Sequence, residues 1–143
     1  MKLDTESKMG FDNSISTEDR FALRNWFQSF VDNINSHNLE GLSSALSNAL
    51  VVEGFDDIPM QAAGYSQLLK QLVMDQPNSV VRFPKLSVKF QGYLFALTGD
   101  FELYSDNVLS YEGGVEIAVV KNEDGFFMVR KKFFPRLMVH AEQ

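Results

Sequence analysis

Two hydrophobic periods divide the chain. Up to about Met74 the apolar positions recur at helical spacing, and from Ser79 onward they alternate. The clearest helical stretch is Thr17 to Ser36. Leu23, Trp26, Phe27, Phe30, Val31 and Ile34 fall there at i, i+3, i+4, i+7, i+8 and i+11, one face of a 3.6-residue repeat. Arg24, Asn25, Gln28, Asp32 and Asn35 occupy the opposite face. Ser16-Thr17-Glu18-Asp19 reads as its capping box, because the Ser16 hydroxyl can satisfy a free N–H of the first turn. His37-Asn38 breaks the helix, and Asn38 can cap a short second one carrying Leu39, Leu42, Ala45 and Leu46. Leu50-Val51-Val52-Glu53 is a short strand, followed by a loop from Gly54 to Pro59. A third helix from Gly64 to Met74 stacks Tyr65, Leu68, Leu69, Leu72 and Val73 on one stripe before Gln76-Pro77-Asn78 ends it.

Four strands follow, at about Ser79 to Phe90, Tyr93 to Tyr104, Val108 to Val120 and Phe126 to His140. Their separators, Gln91-Gly92, Ser105-Asp106-Asn107 and Asn122-Glu123-Asp124-Gly125, carry the residue types of tight hairpin turns. Gly113-Gly114 and Pro135 interrupt the last two strands and predict bulges or edges that curve the sheet. Tyr93, Phe95, Leu97, Phe101 and Leu103 share one side of their strand, with Thr98, Asp100 and Glu102 on the other. In the last strand Phe127 and Val129 oppose Arg130 and Lys132. Lys131 shares parity with the apolar side, a misfit that requires an open end or a bulge. The expected fold class is α+β, with N-terminal helices packed on a curved antiparallel sheet. Residues 1–15 are read as a flexible tail and residues 16–143 as a single domain.

Composition narrows the chemistry. Thirteen Phe residues stand against one Trp and four Tyr, so the core is rich in rings or some of them line a cavity. The net charge of −6 opposes a phosphate backbone, so no nucleic-acid partner is expected. With no Cys there is no disulfide, thiol nucleophile or thiolate metal site. Met1 to Gly10 lacks the apolar core of a signal peptide, and no apolar run approaches the roughly 20 residues of a membrane span. A cytoplasmic protein without a membrane partner, cofactor or metal is the expectation.

The order helix, short helix, strand, helix and four antiparallel strands resembles the nuclear transport factor 2-like superfamily. The local matches are Asn38-Leu39-Glu40-Gly41-Leu42, Leu50-Val51-Val52-Glu53, Gly64 and Val119-Val120-Lys121-Asn122-Glu123-Asp124-Gly125-Phe126-Phe127. The resemblance covers about Ser16 to Val139. It implies the cystatin-like cone fold found in ketosteroid isomerases and polyketide cyclases, a fold that tends to enclose a pocket. Ketosteroid isomerases use an Asp base after the first strand and an oxyanion hole of Tyr and protonated Asp. Ungapped counting places Phe30 at the Tyr position and Ile117 at the strand Asp. The base position falls at Gly54 or, with a one-residue slip, at Glu53. Both oxyanion donors are missing, so that reaction is not expected.

Among the remaining residues, Glu53 is the one acid at a pocket mouth, either a desolvated general base or a strand-end carboxylate in water. Trp26, Phe27, Phe30, Phe55, Phe95 and Phe101, with Ile117, are the candidate ligand-binding set. They can equally be ordinary core packing. His37 and His140 lack acids at metal-ligand spacing. Arg130, Lys131, Lys132 and Arg136 form a basic cluster read as a solvated or interfacial sheet face, and Asp56-Asp57 supplies too few ligands for Ca²⁺. Two functions fit: binding of a small apolar molecule inside the cone, or a non-catalytic association domain acting through its dimer face. A homodimer is expected through the outer sheet face, where Met128, Phe134 and Val120 are placed among charges.

Overall fold

The computed structural model describes residues 4–38, 40–41, 46–53, 60–123 and 125–135. Its elements are β1 (Lys8–Phe11), α1 (Thr17–Asn35), β2 (Leu46–Glu53), β3 (Met60–Gln61), α2 (Ala62–Asp75), β4 (Ser79–Arg82), β5 (Lys85–Gln91), β6 (Leu94–Ser105), β7 (Val108–Asn122) and β8 (Gly125–Pro135). The two helices cover one face of a curved sheet.

Helix α1 starts where its capping residues predict. The Ser16 hydroxyl accepts the Asp19 N–H at 3.1 Å, and the helix buries Leu23, Phe27, Phe30, Val31 and Ile34. It ends at Asn35, and His37, just past the Ser36 cap, adopts a left-handed φ of 63°. Asn35 does more than its polar-face position suggested. Its amide donates to the Val81 carbonyl at 2.9 Å and accepts from the Val81 N–H at 2.8 Å, which fastens the helix to β4. Helix α2 turns Tyr65 and Leu69 into the core. Asn38 caps as expected, its side-chain oxygen accepting the Gly41 N–H at 3.2 Å. Leu39, Leu42 and Ala45 lie outside the described residues, and Leu46 begins a strand. No helix among the described residues is long and apolar enough to cross a membrane.

The sheet is mixed, not purely antiparallel. Its order is β1-β5-β6-β7-β8-β2-β3, with β4 also paired to β6. The β5–β8 meander is antiparallel, while β1 joins β5 and β2 joins β8 in parallel. Hairpin chemistry in the sequence exposes only antiparallel neighbours, so these two long-range pairings had no local signal. The tail reading is corrected for Lys8–Phe11, which forms β1 against Lys85–Val88, and for Ile15, which is only 4% exposed. Arg20 ties this segment down by donating to the carbonyls of Ile15 (2.9 Å) and Asp12 (3.2 Å).

The strand expected from Ser79 to Phe90 is two. Pro84, with no N–H, separates β4 from β5, and both pair with different halves of β6. The turn at Asp106 and Asn107 takes positive φ at both residues, 51° and 65°. A bulge at Val129 also shifts the β7–β8 register: Met128 pairs with Val119, but Arg130 pairs with Ala118. The extra residue reverses the facing of the strand. Phe126 and Met128 point into the core before it, and Lys131 and Phe133 after it. Phe127 and Val129 therefore share the outer face with Arg130 and Lys132 rather than opposing them. Met128, assigned to an outer dimer face, is fully buried in the core.

Gly99 tests the curvature. A Cβ there would stand 2.0 Å from the Lys85 carbonyl oxygen, a backbone atom that cannot yield without breaking the β5–β6 pairing. Gly99→Ala should destabilise the domain by about 1–3 kcal/mol or more in urea unfolding. A variant of unchanged stability would show that β5 and β6 are not this close.

Candidate functional site

Between α2 and the concave sheet face lies a cavity of about 340 Å³. Helix α2 supplies Tyr65, Leu68, Leu69 and Leu72, and α1 supplies Ile34. Val81 and Phe83 close one side, Phe101, Leu103 and Tyr111 the floor, and Lys131 and Phe133 the β8 wall. The lining is apolar apart from three polar ends: the phenols of Tyr65 and Tyr111 and the amine of Lys131.

Lys131 is the exceptional residue. The Val129 bulge turns it inward, where it is 1% exposed. Its Nζ donates to the Tyr65 hydroxyl at 2.8 Å, a bond buried with both partners. Four rings surround the nitrogen, Phe83 and Phe133 at 4.9 Å and Phe30 and Tyr65 at 5.2 Å. The ion pairs among the described residues lie elsewhere: Arg82–Glu102, Lys121–Asp19 and Arg130–Glu53. Burial therefore acts on Lys131 with no carboxylate from the described residues against it, and pushes its pKa down from 10.5 to about 7. The aromatic faces work in the other direction, each favouring the cation by about 0.5–2 kcal/mol. The Tyr65 phenol is raised above its ordinary value by burial and keeps its proton. The pair thus offers an amine poised between free base and cation near neutral pH, beside a hydroxyl that stays protonated.

The expected site residues are only partly gathered here. Phe101 lines the cavity and packs edge-on against Phe133, with ring centroids 4.9 Å apart. Phe27, Phe30, Phe95 and Ile117 are buried core residues outside the cavity lining, although Phe30 contributes a face to the Lys131 cage. Trp26 is half-buried and stacks on Phe30 at 6.2 Å, with Phe126 at 6.0 Å, away from the lining. Helical periodicity places a ring inward but does not say which end of the cone it fills. Phe55, Asp56, Asp57, Arg136 and His140 lie outside the described residues. Glu53 belongs to the outer side: its neighbour Val52 points into the core, and Glu53 itself accepts from Arg130 at 3.1 Å. That placement removes it as a base for chemistry in the cavity. Phe30 and Ile117 offer no hydrogen-bond donor, and Ile117 pairs directly with Lys131 across β7 and β8. Lys131 and Tyr65 are the residues that sequence reasoning missed. The one clue was the parity of Lys131, which holds for its step to Phe133 but not for Phe127 and Val129, because the bulge turns those two outward.

An amine with a folded pKa near 7 binds fewer protons than in the unfolded chain between about pH 7 and 10.5. Stability should therefore rise with pH across that window. The Tyr65 phenol, raised from 10.0, opposes this only above about pH 10. Urea unfolding should show a gain of up to about 3 kcal/mol from pH 7 to 9.5. Lys131→Met should flatten the profile and stabilise the protein at pH 6. A flat wild-type profile would mean that the amine is not desolvated.

No protein-family model matches the chain, and no curated protein matches it. Solved structures do. A protein of unknown function with a cystatin-like fold from Nostoc punctiforme aligns with a TM-score of 0.72 at 8% identity, over 86% of this chain and 95% of that one. A nuclear transport factor 2-like protein of unknown function from Pseudomonas putida gives 0.73 at 8% identity, over 90% and 94%. A ketosteroid isomerase candidate from Shewanella frigidimarina gives 0.66 at 11% identity, over 90% and 100%. At such identities the likeness is one of fold. The chain has the cystatin-like cone fold of nuclear transport factor 2-like proteins, as the order of its elements implied.

Proposed function

We propose that this protein binds a small, largely apolar molecule in the cone interior, with Lys131 and Tyr65 supplying its polar contact. The observation that carries this reading is a lysine at the wall of an apolar cavity, held by a tyrosine hydroxyl and no carboxylate among the described residues. Burying such an amine costs stability that an aliphatic side chain would not. A purely structural core position gains nothing from it, whereas a binding site gains a directional polar group in an otherwise featureless pocket. The cavity volume lies at the small end of ligand sites, which fits a medium-chain or single-ring compound.

The test is thermal unfolding with 1-octanol and cyclohexanol. A ligand at a hundred times its Kd should stabilise the folded state by about 2.7 kcal/mol and raise Tm by several degrees. Leu103→Trp, which fills the cavity from the floor, should abolish the response. If neither alcohol moves Tm, the ligand reading is lost.

A second reading, an association domain acting as a homodimer through the outer sheet face, is supported by Phe134. It is 42% exposed, and Lys132 lies 5.1 Å over its ring. Val120, Phe127 and Val129 extend this face as half-buried side chains. Phe134→Glu should then convert a dimer into a monomer in light scattering. Wild-type protein that is monomeric at micromolar concentration would rule this reading out.

A further inference from the structure

We infer that Lys131 is an amine nucleophile that captures an apolar aldehyde or ketone in the cone cavity as an imine, with Tyr65 relaying the proton. This deepens the ligand-binding reading and rests on it. The geometry has three parts. The Lys131 amine stands at the cavity wall, the Tyr65 hydroxyl lies 2.8 Å from it, and the rest of the lining is Leu, Ile, Val and Phe with the single phenol of Tyr111. An amine attacks a carbonyl only as the free base, and burial in an apolar pocket is a known way to hold a lysine in that form near neutral pH. Tyr65 keeps its proton across the same range, so it can donate to the carbonyl oxygen.

The ligand class follows from the lining. A carboxylate would have to bring a second charge into a wall without a further ionic group among the described residues. A carbonyl compound enters neutral and leaves the site neutral. The step balances without a further reactant. The Nζ lone pair bonds to the carbonyl carbon while the carbonyl π pair moves to oxygen, which takes the Tyr65 proton. Nζ then returns a proton to the phenolate oxygen. Tyr65 passes a second proton to the carbinolamine hydroxyl, the C–O bond breaks, and Nζ gives its last proton to the Tyr65 phenolate oxygen as the C=N bond forms. In sum the amine gives up two hydrogens, the carbonyl oxygen leaves as one water, and Tyr65 regains its proton.

Incubating the whole chain with octanal, adding sodium cyanoborohydride and mapping the peptides tests this at pH 7.5. The expected result is one octyl group on Lys131, with labelling at least about tenfold above that of the adjacent Lys132, which lies on the outer face away from the cavity. Lys131→Met, checked for folding by circular dichroism, should take no label at the site. If that variant does not fold, the comparison of Lys131 with Lys132 inside the wild-type chain decides. Labelling spread evenly over the lysines would overturn the inference. So would Tm shifts with 1-octanol and octanal without an adduct at Lys131, a result that leaves the ligand pocket standing. Lys131-dependent stabilisation by octanoate with no octanal adduct would replace the nucleophile by an anion site. Silence from every probe would remove both the pocket reading and this one.

Discussion

The extra residue at Val129 in the pairing of β7 with β8 decides which side chains of the last strand face the helices. A strand without a bulge keeps one parity along its length, so Met128 and Lys131 would be on opposite faces. The bulge places both inside. Met128 joins Val119 and the core, while Lys131 reaches the cavity beside Ile117 and beneath Tyr65 of α2. The same shift turns Arg130 outward to Glu53 on β2 and Lys132 towards Phe134. One local irregularity thus separates a basic run of three residues into an outer ion pair, a buried amine and a surface cation.

The buried amine is tolerated through opposing terms. Loss of water disfavours the cation, four ring faces favour it, and the Tyr65 oxygen satisfies one of its donors. Burial is the cause that lowers its pKa. The rings are supplied by different elements: Phe30 by α1, Tyr65 by α2, Phe83 from the break between β4 and β5, and Phe133 by β8. The cage is therefore a consequence of the assembled cone. It forms only after the helices dock, a step in which Asn35 of α1 grips β4 beside Phe83.

Phe30, Ile117 and Glu53 stand at the positions that the resemblance to ketosteroid isomerases singled out. Phe30 and Ile117 are apolar and buried, and Glu53 faces away from the cavity. The interior offers a different functional pair, an amine and a phenol, brought together from β8 and α2 by side chains 66 positions apart in sequence. Fold likeness to ketosteroid isomerase-like proteins thus carries no reaction to this chain.

Much of the architecture was legible without coordinates. The i, i+3, i+4 stripe of α1, its Ser16 cap, the Tyr65–Leu72 stripe of α2 and the turn chemistry at Gly92 and Asp106-Asn107 are local signals, written within a few residues of where they act. Their order was enough to indicate a helix-covered, curved sheet. The parallel pairings of β1 with β5 and β2 with β8, the inward turn of Lys131 and the separation of Trp26 from the cavity were not local. Each depends on which distant segment lies alongside, because hydrogen-bond register and side-chain facing are properties of a pair of strands. Helices, hairpins and an aromatic core follow from patterns that act within a few residues. Which side chains meet at the cavity follows from the assembled fold, because one bulge reverses a strand's facing and four elements must converge to bury a single amine.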